Sequence, residues 1–312
     1  VELDGSSTVY PISEAAASAF GEKYPNVKAT VGVSGTGGGF KRFVRGEIDV
    51  SNASRPIKWE EHLQCAEVSP PVQYLELPVA YDGLTVVVNP ANDWVDQITV
   101  EQLQEIYLEG GAAQTWKDLN PDWPDGKIQV YSPGTDSGTF DFFREVMIGS
   151  GEGRSMRKDM STNEDDNVLV TGVAGDKNSI GFFGASYYFN NKEKLKAVPV
   201  VNPSSGQAVL PSPEAVESGE YAPLSRPLFI YVNVNSLKRP EMQRFVEFYL
   251  DRAAEFAVQV DYVGLSEDVS ERAKEHFRKK TIGTHFWTPE GEKREGGLLE
   301  VFTTENAVPV QG

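Results

Sequence analysis

The chain holds 312 residues, 39% of them hydrophobic and 24% charged, which is ordinary globular usage and length enough for two domains. Its formal net charge is −17, which excludes nucleic acid and anionic membranes as partners and means that any bound anion is held by a local site against the field of the whole molecule. The single cysteine, Cys65, excludes an internal disulfide, and no apolar run is long enough to span a bilayer. The chain opens on VELDGSST, a strand-like run with no leader ahead of it, as a trimmed, mature chain would.

In chain order, strand-like and helix-like runs alternate, and the alternation predicts an α/β architecture. A strand over 1–4 leads to a helix over 12–24, and a strand over 27–33 to a helix over 38–45. Strands follow over 48–52, 73–79 and 84–89, then a helix over 100–108, a strand over 128–131 and helices over 139–148 and 166–174. Strands over 180–183 and 197–201 precede a Pro/Ser/Gly-rich surface loop over 202–213. A strand over 228–234 and helices over 241–259 and 267–279 close the pattern. In the first of these last helices Met242, Phe245, Val246, Tyr249 and Leu250 recur at helical spacing, the pattern of a core-facing stripe.

Three places join a predicted strand to a predicted helix through a surplus of hydroxyls and glycines. They are Gly5-Ser6-Ser7-Thr8-Val9-Tyr10-Pro11, Ser34-Gly35-Thr36-Gly37-Gly38-Gly39 and Ser132-Pro133-Gly134-Thr135-Asp136-Ser137-Gly138-Thr139. A helix start leaves about four backbone N–H groups unpaired and carries roughly half a positive charge. Hydroxyls add donors, and glycines admit a ligand close to the backbone. One such cluster reads as simple N-capping, which needs a single Ser or Thr. Three with hydroxyls to spare read as an anion cradle.

Named alternatives fit less well. A P-loop needs Gly directly before Lys, and Phe40 precedes Lys41. The dinucleotide fingerprint fails where Phe40 replaces its third Gly. Asp136-Ser137-Gly138-Thr139 matches an aspartic-protease loop, but a chain of this length would need a second copy, and it holds none. The histidines His62, His276 and His285 are scattered and lack metal-ligand spacing. Trp116, Trp123 and Trp287 read as packing anchors.

The stretches DGSSTVYP, GTGGGFKRF, SNASRPI, GTDSGTFDFF and DDNVLVTGVAGDKNSIGFFG, taken in order along nearly the whole chain, resemble the PstS-type phosphate-binding proteins of bacterial ABC importers. The resemblance implies a type II periplasmic-binding-protein fold: two α/β lobes, here 1–81 with 228–312 and 82–227, two crossing hinge segments, and an anion in the cleft. It implies a monomeric, extracytoplasmic receptor, in some forms tethered to the membrane, which hands phosphate to a membrane permease and uses no cofactor. By position it assigns phosphate contacts to Ser7, Thr8 and the Val9 backbone in the first loop, Thr36 in the second, and Ser137, Gly138 and Thr139 in the third.

Two departures stand out. Ser54 occupies the place of an aspartate in the best-known members, and the arginine they carry near Pro133 is missing. Arg55, next in sequence, is the expected replacement cation, against the simpler reading of a surface ion pair. Asp82, on the expected crossing segment Tyr81-Asp82-Gly83, is the expected carboxylate, accepting the proton that phosphate carries and sulfate lacks. Asp136 is the alternative and would otherwise orient Arg55, while turn or loop capping is the plainer role for either aspartate. Two other functions stand beside phosphate capture: a receptor for sulfate or molybdate, and a hydrolase using Asp136 or Ser137, for which the sequence offers poor general bases.

Overall fold

The computed structural model describes residues 1–135, 137–149 and 153–311. The chain divides into two units, one of Val1–Asp82, Glu217–Gly219 and Arg226–Gly312, the other of Gly83–Val216 and Glu220–Ser225. Asp82 is therefore the last residue of the first unit before the chain leaves it, and Arg226 the first after its final return.

The first unit is built from β1 (Glu2–Gly5), α1 (Tyr10–Lys23), β2 (Thr30–Val31), α2 (Thr36–Phe43), β3 (Val50–Ala53), α3 (Trp59–Glu67) and the first part of β4 (Tyr74–Val88). The second holds the rest of β4, α4 (Val100–Tyr107), α5 (Trp116–Leu119), β5 (Gln129–Pro133), α6 (Gly138–Ile148), β6 (Ser161–Asn163), α7 (Asp166–Gly175), β7 (Ser179–Gly184), α8 (Ala185–Phe189), β8 (Lys196–Ala197), β9 (Val200–Val201) and β10 (Ala208–Val209). After α9 (Pro213–Ser218), the chain runs through β11 (Ser225–Asn233), α10 (Pro240–Gln259), α11 (Glu267–Lys279) and α12 (Leu298–Val301).

In the first unit β1 lies between β2 and β3 and is parallel to both, so α1 and α2 serve as the crossovers that parallel neighbours require. β11 completes the order β2-β1-β3-β11, antiparallel to β3 from Phe229 opposite Ala53 to Val232 opposite Val50. All four residues of β3 are buried, as expected of a sheet covered on both faces. The apolar stripe of α10 is buried as predicted, and Phe245 meets Phe20 of α1 edge to face at 5.3 Å.

In the second unit the last part of β4 pairs antiparallel with β7, which is parallel to β5, itself parallel to β6. Phe143 of α6 stacks on Phe182 of β7 at 3.8 Å, and Tyr107 of α4 abuts Phe143 at 4.8 Å. Trp116 is fully buried between Trp94 and Trp123 and is a packing anchor.

Three local expectations differ from the structure. The runs over 73–79 and 84–89 are one strand, β4, buried along all fifteen residues. Asp82-Gly83 does not turn the chain but lies within β4, where the Asp82 carboxylate accepts from Arg226. The loop over 202–213 contains β10, paired antiparallel with β9. α3 has no counterpart among the predicted elements; its start is fixed by Glu61, whose Oε2 accepts from Lys58 N at 2.8 Å. Cys65 of α3 is fully buried, and burial first, then the Glu61 charge, pushes its thiol up to about 12.

The histidines, distant in sequence, are all buried in the first unit. Glu76 of β4 accepts from Tyr231 Oη at 2.7 Å, Thr284 Oγ1 at 3.0 Å, His285 N at 2.7 Å and His285 Nδ1 at 3.1 Å. Tyr231 Oη in turn accepts from Ile57 N at 2.8 Å. His276 stacks on His285 at 4.9 Å, and its Nε2 lies 3.3 Å from Thr304 Oγ1. His62 Nδ1 lies 2.7 Å from Tyr74 Oη.

Two outcomes follow from this packing. A Cβ at Gly39 would stand 2.7 Å from Gly5 Cα and from Ser51 Oγ, so Gly39→Ala is expected to lower unfolding free energy by about 1–3 kcal/mol, checked by urea denaturation. Burial, then the neighbouring His285, draws His276 down to about 4 from an ordinary 6.5. The unfolded chain therefore binds the extra proton first, and stability present above pH 6.5 is lost as pH falls towards 4, by about 3 kcal/mol. Urea midpoints at pH 7.5 and 4.5 measure this slope, and His276→Gln is expected to flatten it.

Candidate functional site

The first loop follows the carboxyl end of β1. Ser6 braces the loop ahead of α1: its Oγ accepts from Thr8 N at 3.2 Å and Val9 N at 3.4 Å, while α1 itself has no side-chain cap. Ser7 is exposed and Thr8 buried, and Pro11 sits in the first turn of α1. Gly5, at φ +133°, turns the chain where a Cβ would meet Asn52 O at 2.3 Å. β1 and β3 thus run so close that Gly5 registers with Asn52, and their carboxyl ends deliver Ser7–Thr8 and Ser54 side by side.

The second loop brings α2 in through Gly35, at φ +74°, with no side-chain cap. The amides of the first turn then keep the positive end of the helix dipole uncovered by a local side chain. Thr36 Oγ1 accepts from Ser54 N at 3.2 Å and shares a hydrogen bond with Ser54 Oγ at 3.0 Å. Ser54, where an aspartate was expected by resemblance, is therefore a hydroxyl partner of Thr36.

Arg55 makes an ion pair inside the first unit. Its two terminal nitrogens donate to Glu61 at 2.8 Å each, one also donates to Pro56 O at 3.1 Å, and the guanidinium lies 5.2 Å over the Phe40 ring. The fork is occupied by a carboxylate that also starts α3, which clamps the segment after Ser54 onto that helix.

A second arginine, not singled out by sequence, lies against the first loop. Arg226, at the start of β11, donates through Nε and Nη2 to Asp82 Oδ2 at 3.3 Å, and through Nη2 to Thr8 Oγ1 at 3.3 Å. The Asp82 side chain is 2% exposed and that of Arg226 14%. The Tyr262 hydroxyl is held above its usual range by burial first and then by the Asp82 charge, with Arg226 opposing, so it senses both partners. The one signal that could have found Arg226 is its setting: a lone cation heading the apolar run Pro227–Val232 in an expected crossing segment.

The third loop follows the carboxyl end of β5 in the second unit. Ser137 caps α6, its Oγ accepting from Thr139 N at 3.2 Å, so the plain capping reading holds for that hydroxyl. Gly138 and Thr139 form the first turn of α6 and are half-buried. Asp136 lies outside the described residues. No group of His, Cys, Asp and Glu fit to hold a metal ion occurs among the described residues.

The sequence profile of the PBP superfamily domain matches residues 1–253. The chain is 47% identical over 302 residues to Protein SphX of Synechococcus elongatus, spanning 96% of this chain and 87% of that protein. It is 43% identical over 266 residues to the phosphate-binding protein PstS of Staphylococcus saprophyticus, spanning 85% of this chain and 80% of the relative. Among solved structures, a possible phosphate binding protein from Planctomyces limnophilus matches with a TM-score of 0.84 and 44% identity, over 89% of this chain and 97% of that one. The expected α/β, type II periplasmic-binding-protein fold is borne out by these matches. By profile, relatives and fold, the chain belongs to the PBP superfamily and, within it, to the PstS-type phosphate-binding proteins.

Proposed function

We propose that the chain is an extracytoplasmic receptor that captures inorganic phosphate, as a monomer, and delivers it to the membrane permease of an ABC importer. One observation carries the reading. The adjacent parallel strands β1 and β3 end at Gly5 and Ala53, and their carboxyl ends open onto Thr8, Ser54 and the uncapped start of α2. Ligands of α/β sheets bind outside the carboxyl ends of such strands, and a helix start there favours an anion.

In this reading the phosphate contacts are Ser7, Thr8, the Val9 amide, Thr36, Ser54, Ser137, Gly138 and Thr139. Hydroxyls and amides alone attract any tetrahedral oxyanion. Asp82 adds a buried carboxylate that accepts a hydrogen bond from protonated phosphate and repels sulfate. The chemistry is capture, with no bond made or broken, which accords with relatives named as phosphate-binding proteins.

Titration calorimetry with inorganic phosphate tests the reading. Thr8→Val, Thr36→Val and Thr139→Val are each expected to weaken binding about fivefold, the loss of roughly 1 kcal/mol from a neutral hydrogen bond. Wild-type affinity in Thr139→Val would remove the third loop from the site. Asp82→Asn is expected to bind phosphate more weakly and to let sulfate compete better; an unchanged preference between the two anions would take the discriminating role from Asp82.

A further inference from the structure

We propose that the cavity between α3 and the C-terminal segment is a binding site for a small, uncharged, single-ring molecule that carries a hydrogen-bond acceptor such as a carbonyl oxygen. The cavity lies wholly within the first unit, and the proposal does not depend on the reading of the chain as a phosphate receptor.

The cavity has a volume of about 200 Å³. α3 lines it with Trp59, His62, Leu63 and Ala66, and the C-terminal segment faces them with Pro289 and Val308. The helix residues recur at the spacing i, i+3, i+4 and i+7, which is a single helix face. An apolar cavity of about 150 Å³ admits benzene, so this one has room for a six-membered ring with a small substituent. Among the described residues no Lys or Arg lines it to neutralise an anion, and no carboxylate lines it to hold a cation.

His62 gives this apolar hollow a directed polar group. The residue is 2% exposed. Its Nδ1 lies 2.7 Å from Tyr74 Oη, while its Nε2 has no hydrogen-bond partner among the described residues. Burial first, against the Glu76 charge, draws His62 below its ordinary range, so the ring is neutral at neutral pH. A neutral imidazole holds one N–H and one acceptor nitrogen.

Tyr74 decides which nitrogen is which. Its hydroxyl is fully buried and has no other partner among the described residues. A proton on Nδ1 would leave the Tyr74 hydrogen buried without an acceptor, a costly arrangement. Tyr74 therefore donates to Nδ1, and Nε2–H, on the far side of the ring, is the donor that the cavity receives. Trp59 stacks on the His62 ring at 5.0 Å and 19°, so both the ring plane and the N–H direction are fixed. Aromatic and aliphatic walls with one placed polar group are the makings of a small-molecule site. A ligand with an acceptor satisfies the N–H, and one without it leaves the donor unpaired, which is the basis of discrimination.

The test is nuclear magnetic resonance of the full chain carrying isotope-labelled histidine, with the His62 ring assigned by its contacts to the Tyr74 ring. The probes are acetophenone, which has a ring and a carbonyl, and toluene, which lacks the acceptor. His62 is expected in the Nε2–H form. Acetophenone is expected to shift the Nε2 resonance saturably, with a Kd on the order of 1 mM for a ligand of this size. Toluene is expected to bind about fivefold more weakly, for want of one neutral hydrogen bond. Ala66→Leu, which fills the cavity from α3 and leaves the His62 and Tyr74 side chains in place, is expected to weaken acetophenone at least about tenfold. A ring proton on Nδ1, toluene bound as tightly as acetophenone, or wild-type affinity in a folded Ala66→Leu would each overturn the proposal. So would the absence of any shift at about 10 mM acetophenone. If Ala66→Leu does not fold, the tautomer and the comparison of the two probes decide. Phosphate enters none of these measurements, so their failure leaves the receptor reading untouched.

Discussion

An anion site in a chain of net charge −17 works against its own surroundings, and that constraint organises the first unit. The remedy is local: positive potential is built from backbone amides at helix starts, whose dipoles are fixed and carry no counter-charge into solution. For this to work the helix starts must be brought very close to the strand ends. The glycines supply that closeness. α2 rides on β1 with a separation that a single methyl group at Gly39 would not allow, and β1 touches β3 at Gly5. The packing of backbone against backbone is what places the hydroxyls of Thr8, Thr36 and Ser54.

Two arginines lie close to these loops and are paired differently. Arg55 and Arg226 are chemically identical, but their neighbours are not. A carboxylate on the following helix saturates the first, and a carboxylate on a crossing strand aligns the second along the loop that holds Thr8. The buried knot around Glu76 supports the same region from behind. Through Tyr231 it holds the Ile57 amide, three residues after Ser54, and through Thr284 and His285 it ties that strand to the C-terminal segment.

What could be read from sequence was what local chemistry determines. The three hydroxyl–glycine clusters do sit at helix starts, and the α10 stripe does face α1. Periodicity and turn chemistry suffice for these because neighbours in sequence decide them. What could not be read depends on partners far along the chain. Asp82, extended within β4, meets an arginine 144 residues away. The three histidines look scattered because their common burial beside β4 is made by tertiary folding alone. α3 was illegible for a third reason: its start is fixed by a Glu61 carboxylate shared between a backbone amide and an arginine, a pattern that has no sequence period.

The lone thiol bears on where such a chain can operate. Cys65 lies fully inside α3, and its environment holds the sulfur as a neutral thiol far above ordinary pH. Nucleophilic sulfur chemistry proceeds through the thiolate and needs access to it, and both are withheld. The folded protein can therefore meet oxidants, glutathione or a second copy of itself without forming mixed disulfides. In the folded protein this sulfur is withheld from thiol–disulfide exchange.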